Sequence, residues 1–316
     1  MSLRLSVIIV NYNGIAFLAE CLDSITEHVK LPFEVIVVDN ASHDGSPDFI
    51  RANYPDVKLI ASDENLGFGK GNNLGAKYAQ GDYLLLLNND TRISSAVGPL
   101  VQYMKKHKET GILGCRLLNR DGSVQHSIGY YHTPLRLLAG WLMPSKFSWP
   151  SCLQLYEKNP LFYQKSHASV EWITGAFMLI RRDVWDELDG MDPAFFMYME
   201  DVDFCQRARQ QGWMTAYSPE VSIIHYEGGA GEWRSKNAFL YTMDSYRIYL
   251  CKHYGTIAWN LTRYLLAVVF FARGLLHGLG RMTGLDSTGG RKAAIYFSAI
   301  RRLLSLPLRR DSHVTT

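Results

Sequence analysis

Three short runs of polar residues carry the chemistry this chain can offer. The first is Asn88-Asn89-Asp90, at the end of the unbroken apolar run Tyr83–Leu87. Three oxygen-bearing side chains at the tip of a buried strand suit a hard divalent cation, and such a cation commonly bridges to phosphates. The plain alternative is an Asx-type turn that ends a strand. The second run is Glu200-Asp201-Val202-Asp203, behind the aromatic stretch Phe195-Phe196-Met197-Tyr198. Acids at a helix N-terminus cap it and complement its dipole, but one acid suffices for that. A carboxylate crowded by like charge and flanked by Phe196 and Tyr198 has its pKa raised toward that of a useful general base. The third run is His225-Tyr226-Glu227-Gly228-Gly229, closing the apolar strand Val221–Ile224. A lone histidine at a strand end is more often a satisfied structural residue, but a glycine-rich stretch comes directly after this one.

These groups need a scaffold that gathers them, and the first ninety residues read as alternating strand and helix. Leu5–Val10 is an apolar run ending at Asn11-Tyr12-Asn13-Gly14, followed by a helix with Leu18, Cys21, Leu22 and Ile25 at spacings of three and four. Phe33–Val38 is the second strand, ending at Asp39-Asn40. Ser46–Tyr54 reads as a helix with Ser46 as N-cap and Pro47 at its first position. Val57–Ala61 is the third strand, ending in Ser62-Asp63-Glu64-Asn65; Gly69–Ala79 is a helix with Gly81 just past its end; Tyr83–Leu87 is the fourth strand. The alternation implies right-handed crossovers and an α/β fold with a mostly parallel sheet. Asn11, Tyr12, Asn13, Asp39, Asn65 and Asn88 to Asp90 then gather at one edge, where such sheets bind nucleotide-type ligands. In the second half, Trp172–Ile180 reads as one strand entered through Gly175, and Asp183 as the cap of a short helix, Val184–Leu188. The helix opened by the three carboxylates ends at Gly212.

The familiar nucleotide loops are missing. The first strand–helix turn holds one glycine, so it is no Gly-x-Gly-x-x-Gly dinucleotide fingerprint, and no Gly-Lys-Ser/Thr follows any glycine run. The glycines from Gly67 to Gly75 serve either tight helix–sheet packing or close backbone approach to a ligand. The flanking Asn65, Asn72 and Asn73 favour the ligand.

Composition sets outer limits. With 316 residues and 47% hydrophobic content, the chain has room for one large α/β domain and an appendage. Its five cysteines are scattered without a Cys-x-x-Cys pair, which fits a reducing compartment better than a disulfide framework or zinc site. A strand pattern from Leu3 leaves no room for a signal peptide. Residues 251–316 hold ten Lys and Arg against two acids, a net +8, leaving −5 for the rest of the +3 chain. A basic, apolar tail suggests an anionic surface as partner, membrane before nucleic acid. Its run Tyr264–Ala272 is too short to span a bilayer. It reads either as a core helix or as an interfacial one, with Trp259, Arg263, Arg273, His277 and Arg281 as anchors. A helix around Ala293–Leu306 repeats the theme with Arg291, Lys292, Arg301 and Arg302.

Four stretches in order carry a resemblance: Val7-Ile8-Ile9-Val10-Asn11-Tyr12-Asn13, then Val38 to Ser46, then Asn65 to Gly75, then Leu85-Leu86-Leu87-Asn88-Asn89-Asp90-Thr91. Together they resemble the motifs of family 2 inverting glycosyltransferases, closest to rhamnosyltransferase-like enzymes of bacterial cell-surface polysaccharide assembly. The resemblance spans roughly Leu3 to Tyr254. It implies the GT-A fold over residues 1–254, with a nucleotide-binding half at 1–95 and an acceptor half at 96–254, and leaves 255–316 as a helical extension. It implies Asp201 as the base that deprotonates the acceptor, Glu200 as a holder of a sugar hydroxyl, and Asp203 as a structural partner. Asp90 and His225 become ligands of Mg2+ or Mn2+. Asn11, Tyr12, Asn13, Asp39, Asn65, Gly67, Gly71, Asn72, Asn73 and Asn89 line the nucleotide and donor. Trp172, Thr174, Gly175, Trp233 and Arg234 lie toward the sugar and acceptor, the last pair in a lid.

The chain departs from the family at two points. Asn88-Asn89-Asp90 stands where the older signature has Asp-x-Asp, and Gly228-Gly229-Ala230-Gly231 lacks the Ser that often comes after these glycines. One carboxylate and one imidazole make a weak cage, so the expected metal affinity without nucleotide is low. The implied donor is a nucleoside diphosphate sugar, with dTDP-L-rhamnose suggested. The implied acceptor is a glycan or lipid-linked glycan, and the expected location is cytoplasmic, peripheral at the inner face of the membrane. Two other classes compete: a non-catalytic sugar-nucleotide-binding scaffold and a nucleotidyltransferase. Released nucleoside diphosphate, released pyrophosphate, or no turnover separates the three.

Overall fold

The computed structural model describes residues 4–142, 149–226 and 236–306, which form two compact units. The first unit takes residues 4–131, 156–196 and 200–226. It opens with β1 (Leu5–Asn11), α1 (Ile15–His28), β2 (Phe33–Asn40), α2 (Ser46–Asn53), β3 (Lys58–Ser62), α3 (Gly67–Ala76) and β4 (Tyr83–Asn88). β1 pairs in parallel with both β2 and β4, and β2 with β3, so the order at this end is β3-β2-β1-β4. Ile8, Ile9, Ile36, Val37 and Leu84 to Leu86 are all buried, as strands covered on both faces require. Leu18, Cys21, Leu22 and Ile25 of α1 are buried too, on the face their spacing picks out.

The chain continues with β5 (Thr91–Ile93), α4 (Gly98–Lys106), β6 (Thr110–Leu118), β7 (Ile128–Gly129), α5 (Pro134–Leu142, part of the second unit), β8 (His167–Val170) and β9 (Trp172–Ile173). Then come β10 (Phe177–Arg181), α6 (Arg182–Glu187), α7 (Glu200–Gln210) and β11 (Met214–His225). β10 enters antiparallel between β4 and β6, extending the order to β3-β2-β1-β4-β10-β6-β11-β5, with β8 on β11. The result is a mixed, mostly parallel sheet with helices on it. The insertion of β10 matters for chemistry, because it lays residues 174–176 against the end of β4, where Asn88 N–H donates to the Ala176 carbonyl at 3.1 Å.

Several sequence expectations shift. The predicted strand Trp172–Ile180 is two strands, β9 and β10, interrupted at Thr174 to Ala176; that break exposes the Gly175 N–H to a side chain. Ser46 is the first helical residue rather than the cap, which is Gly45 at φ +86°; the Ser46 hydroxyl instead donates to Asp44 Oδ1 at 2.5 Å. Asp183 sits inside the first turn of α6, and Arg181 holds the cap position. α3 stops at Ala76, three residues early, because Arg182 reaches across to the carbonyls of Ala76, Ala79 and Gly81; a cation on the last carbonyls ends a helix favourably. Leu3, where the strand pattern was expected to start, lies outside the described residues.

The glycines of α3 are used for packing. A Cβ at Gly71 would lie 2.9 Å from both Val10 methyls, and one at Gly75 would lie 2.5 Å from Ile8 Cγ2. Gly67 has φ +77°, and a Cβ there would meet the Phe196 carbonyl oxygen at 2.0 Å. Helix–sheet and helix–loop contact thus explains why Gly67, Gly71 and Gly75 lack side chains.

The second unit contains α5, α8 (Lys236–Met282) and α9 (Gly289–Ser305). α8 is broken at Gly255, where φ is +85° and ψ 166°. Downstream, Trp259, Leu266 and Phe270 are buried, and Phe239, Phe270 and Tyr296 pack ring against ring. Asp286 joins the two helices by accepting from His277 Nδ1 at 2.9 Å and pairing with Lys292 at 3.4 Å. Arg302 grips Asp244 through two bonds of 2.7 Å. The run Tyr264–Ala272 therefore has one face in a core and the other in solvent.

Candidate functional site

The strand ends of β1, β2 and β4 are wired to each other. Register sets Asn11 beside Asp39 and Val10 beside Asn88. Asn11 is fully buried and its amide is fully used: Nδ2 donates to Asp39 Oδ1 at 2.8 Å and Ser42 Oγ at 3.1 Å, while Oδ1 accepts from Asn89 Nδ2 at 2.7 Å. The Ser42 N–H donates to the other oxygen of Asp39 at 2.9 Å. Asp39 is thus a buried carboxylate held from two sides, its remaining lone pairs available to a further donor. Asn13, at φ +51°, accepts from the His43 N–H at 2.8 Å, stitching the first loop to the second. Tyr12, half exposed, stands at the rim. Gly14 is required by this wiring: a Cβ there would lie 2.0 Å from Asn89 Nδ2 and 2.5 Å from Asn11 Oδ1. Beneath the edge, burial pushes the Cys21 thiol up to about 12, so it stays protonated and donates to the Asn88 carbonyl at 3.6 Å.

At the start of α3, Asn65 Oδ1 accepts from the Gly67 N–H at 2.9 Å, and Asn40 Nδ2 donates to the Gly67 carbonyl at 3.0 Å. Asn72 donates to the Phe68 carbonyl at 3.0 Å. The Oδ1 atoms of Asn40 and Asn72 are buried acceptors with no partner among the described residues. Buried acceptors left without a partner are uncommon in folded proteins. Asn73 does not join them: its amide donates to the Met191 carbonyl at 2.7 Å and accepts from the Met191 N–H at 2.9 Å. It clamps the 190–191 loop.

His225 arrives from the other end of the sheet. Register on β5 pairs it with Thr91, one residue past Asp90. Its Nε2 is 3.4 Å from Asp90 Oδ1 and 3.2 Å from Asn88 Nδ2. Its Nδ1 is 2.7 Å from Gln125 Oε1, an atom that only accepts. Gln125 therefore holds the hydrogen on Nδ1, and the Nε2 lone pair accepts from Asn88 Nδ2 with Asp90 Oδ1 beside it. Sequence reasoning missed Gln125; it lies a hundred residues from His225 in a segment with no motif. Tyr226 pins the chain just past His225: it stacks on Phe17 at 5.9 Å, is covered by Arg120 and donates to Glu20 at 2.7 Å.

The carboxylates of α7 have separate surroundings. Asp203 is fully buried and paired with Arg207 at 2.7 Å, whose other nitrogens donate to the Leu188 and Gly190 carbonyls. It is the structural member. Glu200 is buried at the first position of the helix. Asp201 is half-buried; its Oδ2 accepts from the Gly175 N–H at 3.1 Å and its Oδ1 from the Val202 N–H at 2.8 Å. Burial pushes its carboxyl above the usual range, against the downward pull of those two N–H groups. The chain enters this helix through Tyr198 and Met199 at φ +68° and +69°, a costly pair for side-chain-bearing residues. A short backbone link joins the regions: Asp201 accepts from the Gly175 N–H, and the carbonyl of the following residue, Ala176, accepts from the Asn88 N–H.

Trp172 is not a sugar platform. It is 2% exposed, and its Nε1–H donates to the Tyr130 carbonyl at 3.0 Å, so no ring face is open. Thr174, half-buried, donates its N–H to the Ser127 carbonyl at 2.9 Å. Trp233 and Arg234 lie outside the described residues.

Residues 6–189 match the family Glycosyl transferase family 2. The chain belongs to that family. It is 28% identical over 239 residues to the N-acetylglucosaminyl-diphospho-decaprenol L-rhamnosyltransferase of Mycobacterium tuberculosis, covering 71% of this chain and 76% of the relative. It is 28% identical to the rhamnosyltransferase WbbL of Escherichia coli, over 55% of this chain and 69% of that one. Among solved structures it is similar to a Pyrobaculum calidifontis mannosyltransferase in complex with GDP-Man and Mn2+. There the TM-score is 0.55 at 17% identity, covering 96% of this chain and 88% of that one. That likeness concerns the fold, which is GT-A. This family 2 chain is accordingly a glycosyltransferase.

Proposed function

We propose that this enzyme transfers a hexosyl group, L-rhamnosyl by the lean of its relatives, from a nucleoside diphosphate to a hydroxyl of a glycan or lipid-linked acceptor, with inversion. The observation that carries this reading is the backbone link from Asp201 through Gly175 and Ala176 to Asn88, which ties a raised carboxyl to the polar strand edge. The base rests at the edge. Tyr12 offers a ring face, and Asp39, oriented by Asn11 and Ser42, accepts from a base N–H. Asn11 and Asn89 act on the donor by holding that edge rigid. Asn72 and Asn40 accept from ribose hydroxyls, while Asn65, Gly67 and Gly71 shape the loop they stand on and Asn73 braces it.

Asp90 Oδ1 and His225 Nε2 lie 3.4 Å apart and suit a divalent cation, which would take the Nε2 lone pair from Asn88 Nδ2 while Gln125 holds the tautomer. Mg2+ or Mn2+ bound there would neutralise the departing diphosphate. One carboxylate and one imidazole make a weak cage, and no group of three His, Cys, Asp or Glu placed to hold a metal ion occurs among the described residues, so metal affinity without nucleotide should be low. Asp201 takes the proton as the acceptor oxygen bonds to the anomeric carbon and the bond to the diphosphate breaks on the opposite face. No covalent enzyme intermediate forms. Glu200, adjacent, holds a sugar hydroxyl, with Thr174 and Gly175 at the acceptor side.

A panel of nucleoside diphosphate sugars, read by nucleoside diphosphate release with acceptor present, tests this. Release with dTDP-L-rhamnose and an inverted anomeric signal in the product are the expected results. Pyrophosphate as product, or retained configuration, overturns the reading.

A further inference from the structure

We infer that the second unit carries a surface that lies in the headgroup region of an anionic lipid bilayer. After Gly255, α8 exposes Ile257, Leu261, Val268, Leu275, Leu279 and Met282, with Leu276 at 68% and Met282 at 84% exposure. At about 100° per residue these positions share one face roughly 120° wide and about 38 Å long. The opposite face is already spoken for: Trp259, Leu266, Phe270 and Gly274 are buried, and Gly274 faces the Phe297 ring at 3.0 Å from a Cβ position. An apolar stripe of this extent on a soluble surface marks an interaction site.

Charge chooses the occupant. Between Asp244 and Asp286 the chain holds Arg247, Lys252, Arg263, Arg273 and Arg281 and no acid. Residues 236–306 as a whole hold ten Lys and Arg against Asp244 and Asp286, and Arg281, Arg291 and Arg301 are exposed. A second copy would set these bases against each other, and a coiled-coil seam is narrower than this face and carries charges of both signs beside it. A lipid surface rich in phosphates matches both the apolar width and the basic excess of this unit. α8 is long and apolar enough to cross a membrane. It is one-sided, though, and Arg263 is buried on its inner face, donating to the Leu306 carbonyl at 2.9 Å. That arrangement suits a helix lying in the plane of the interface rather than through it.

The test is flotation of the full chain with vesicles of phosphatidylcholine alone and of phosphatidylcholine with phosphatidylglycerol. It is independent of the chemistry above, because nucleoside diphosphate release in the absence of vesicles reports on that separately. The wild type should float with the phosphatidylglycerol vesicles, less so in high salt, and be released by alkaline carbonate. Leu261→Glu, Val268→Glu and Leu275→Glu combined should lower partitioning at least about tenfold while circular dichroism and turnover in solution hold. Equal flotation of the triple variant, equal flotation on both vesicle types, or resistance to carbonate overturns the inference. So does a wild type that ignores vesicles but sediments as a dimer dissolved by the same three changes. Should the variant not fold, the wild-type comparison of the two vesicle types decides.

Discussion

At the strand edge, Asn11, Asp39, Ser42 and Asn89 are joined by a chain of hydrogen bonds that fixes their orientation. At the start of α7, by contrast, Asp201 is kept in surroundings that disfavour its charge, behind two residues of left-handed backbone. The first region is built for position, so that fixed dipoles and an imidazole lone pair meet a charged ligand without rearranging. The second is built for proton affinity, at a cost in stability. A family 2 glycosyltransferase needs both, and the backbone link through Gly175 and Ala176 holds them in register.

Changes that break the second region should hit turnover hardest. Asp201→Asn should lower kcat by about 10²–10⁴-fold, measured by nucleoside diphosphate release, because general-base catalysis is of that size. The folded pKa of Asp201 lies above its unfolded value, so its contribution to stability is full below the unfolded pKa and is lost as pH rises through the raised one. Asn gives up one of the two accepted N–H bonds, so the variant should be the less stable in acid, and its Tm should rise against the wild type's as pH climbs through the raised pKa. For the same reason kcat/KM of the wild type should fall as pH drops through the raised pKa, and the variant's residual activity should lack that limb.

Changes to the first region should be graded. Gln125→Ala frees the His225 ring and should cost about 10–100-fold in kcat/KM, while Gln125→Glu, which still accepts from Nδ1–H, should restore most of it. Gly14→Ala places a methyl against Asn89 and Asn11 and should cost about 1–3 kcal/mol of stability in denaturant titration, with donor binding weakened. Tyr12→Ala, at the exposed rim, should raise the donor KM by about 2- to 10-fold and leave kcat alone.

The parallel half of the sheet was legible because its strands are continuous apolar runs that end in polar tips, and burial on both faces leaves no other pattern. The antiparallel insertion of β10 was not, since pairing between residues 177 and 87 leaves no local periodicity. The break at Thr174 to Ala176 went unseen for the same reason. Asp90, Asp201 and His225 stood out by residue type and place. Gln125 did not, because its role exists only once β11 has carried His225 to the edge. The packing role of the α3 glycines was one of two readings their spacing allowed, and only the contacts with Val10, Ile8 and Phe196 display it. The burial of Trp172, expected toward the sugar and acceptor, depends on the Tyr130 segment, which no local pattern announces.

The division between position and proton affinity can be tested by titrating nucleoside diphosphate, with Mg2+ present, into Asp201→Asn and His225→Ala side by side. The account predicts a dissociation constant within about twofold of wild type for the first and weakened at least about tenfold for the second. Weakened binding in Asp201→Asn together with unchanged binding in His225→Ala would contradict it.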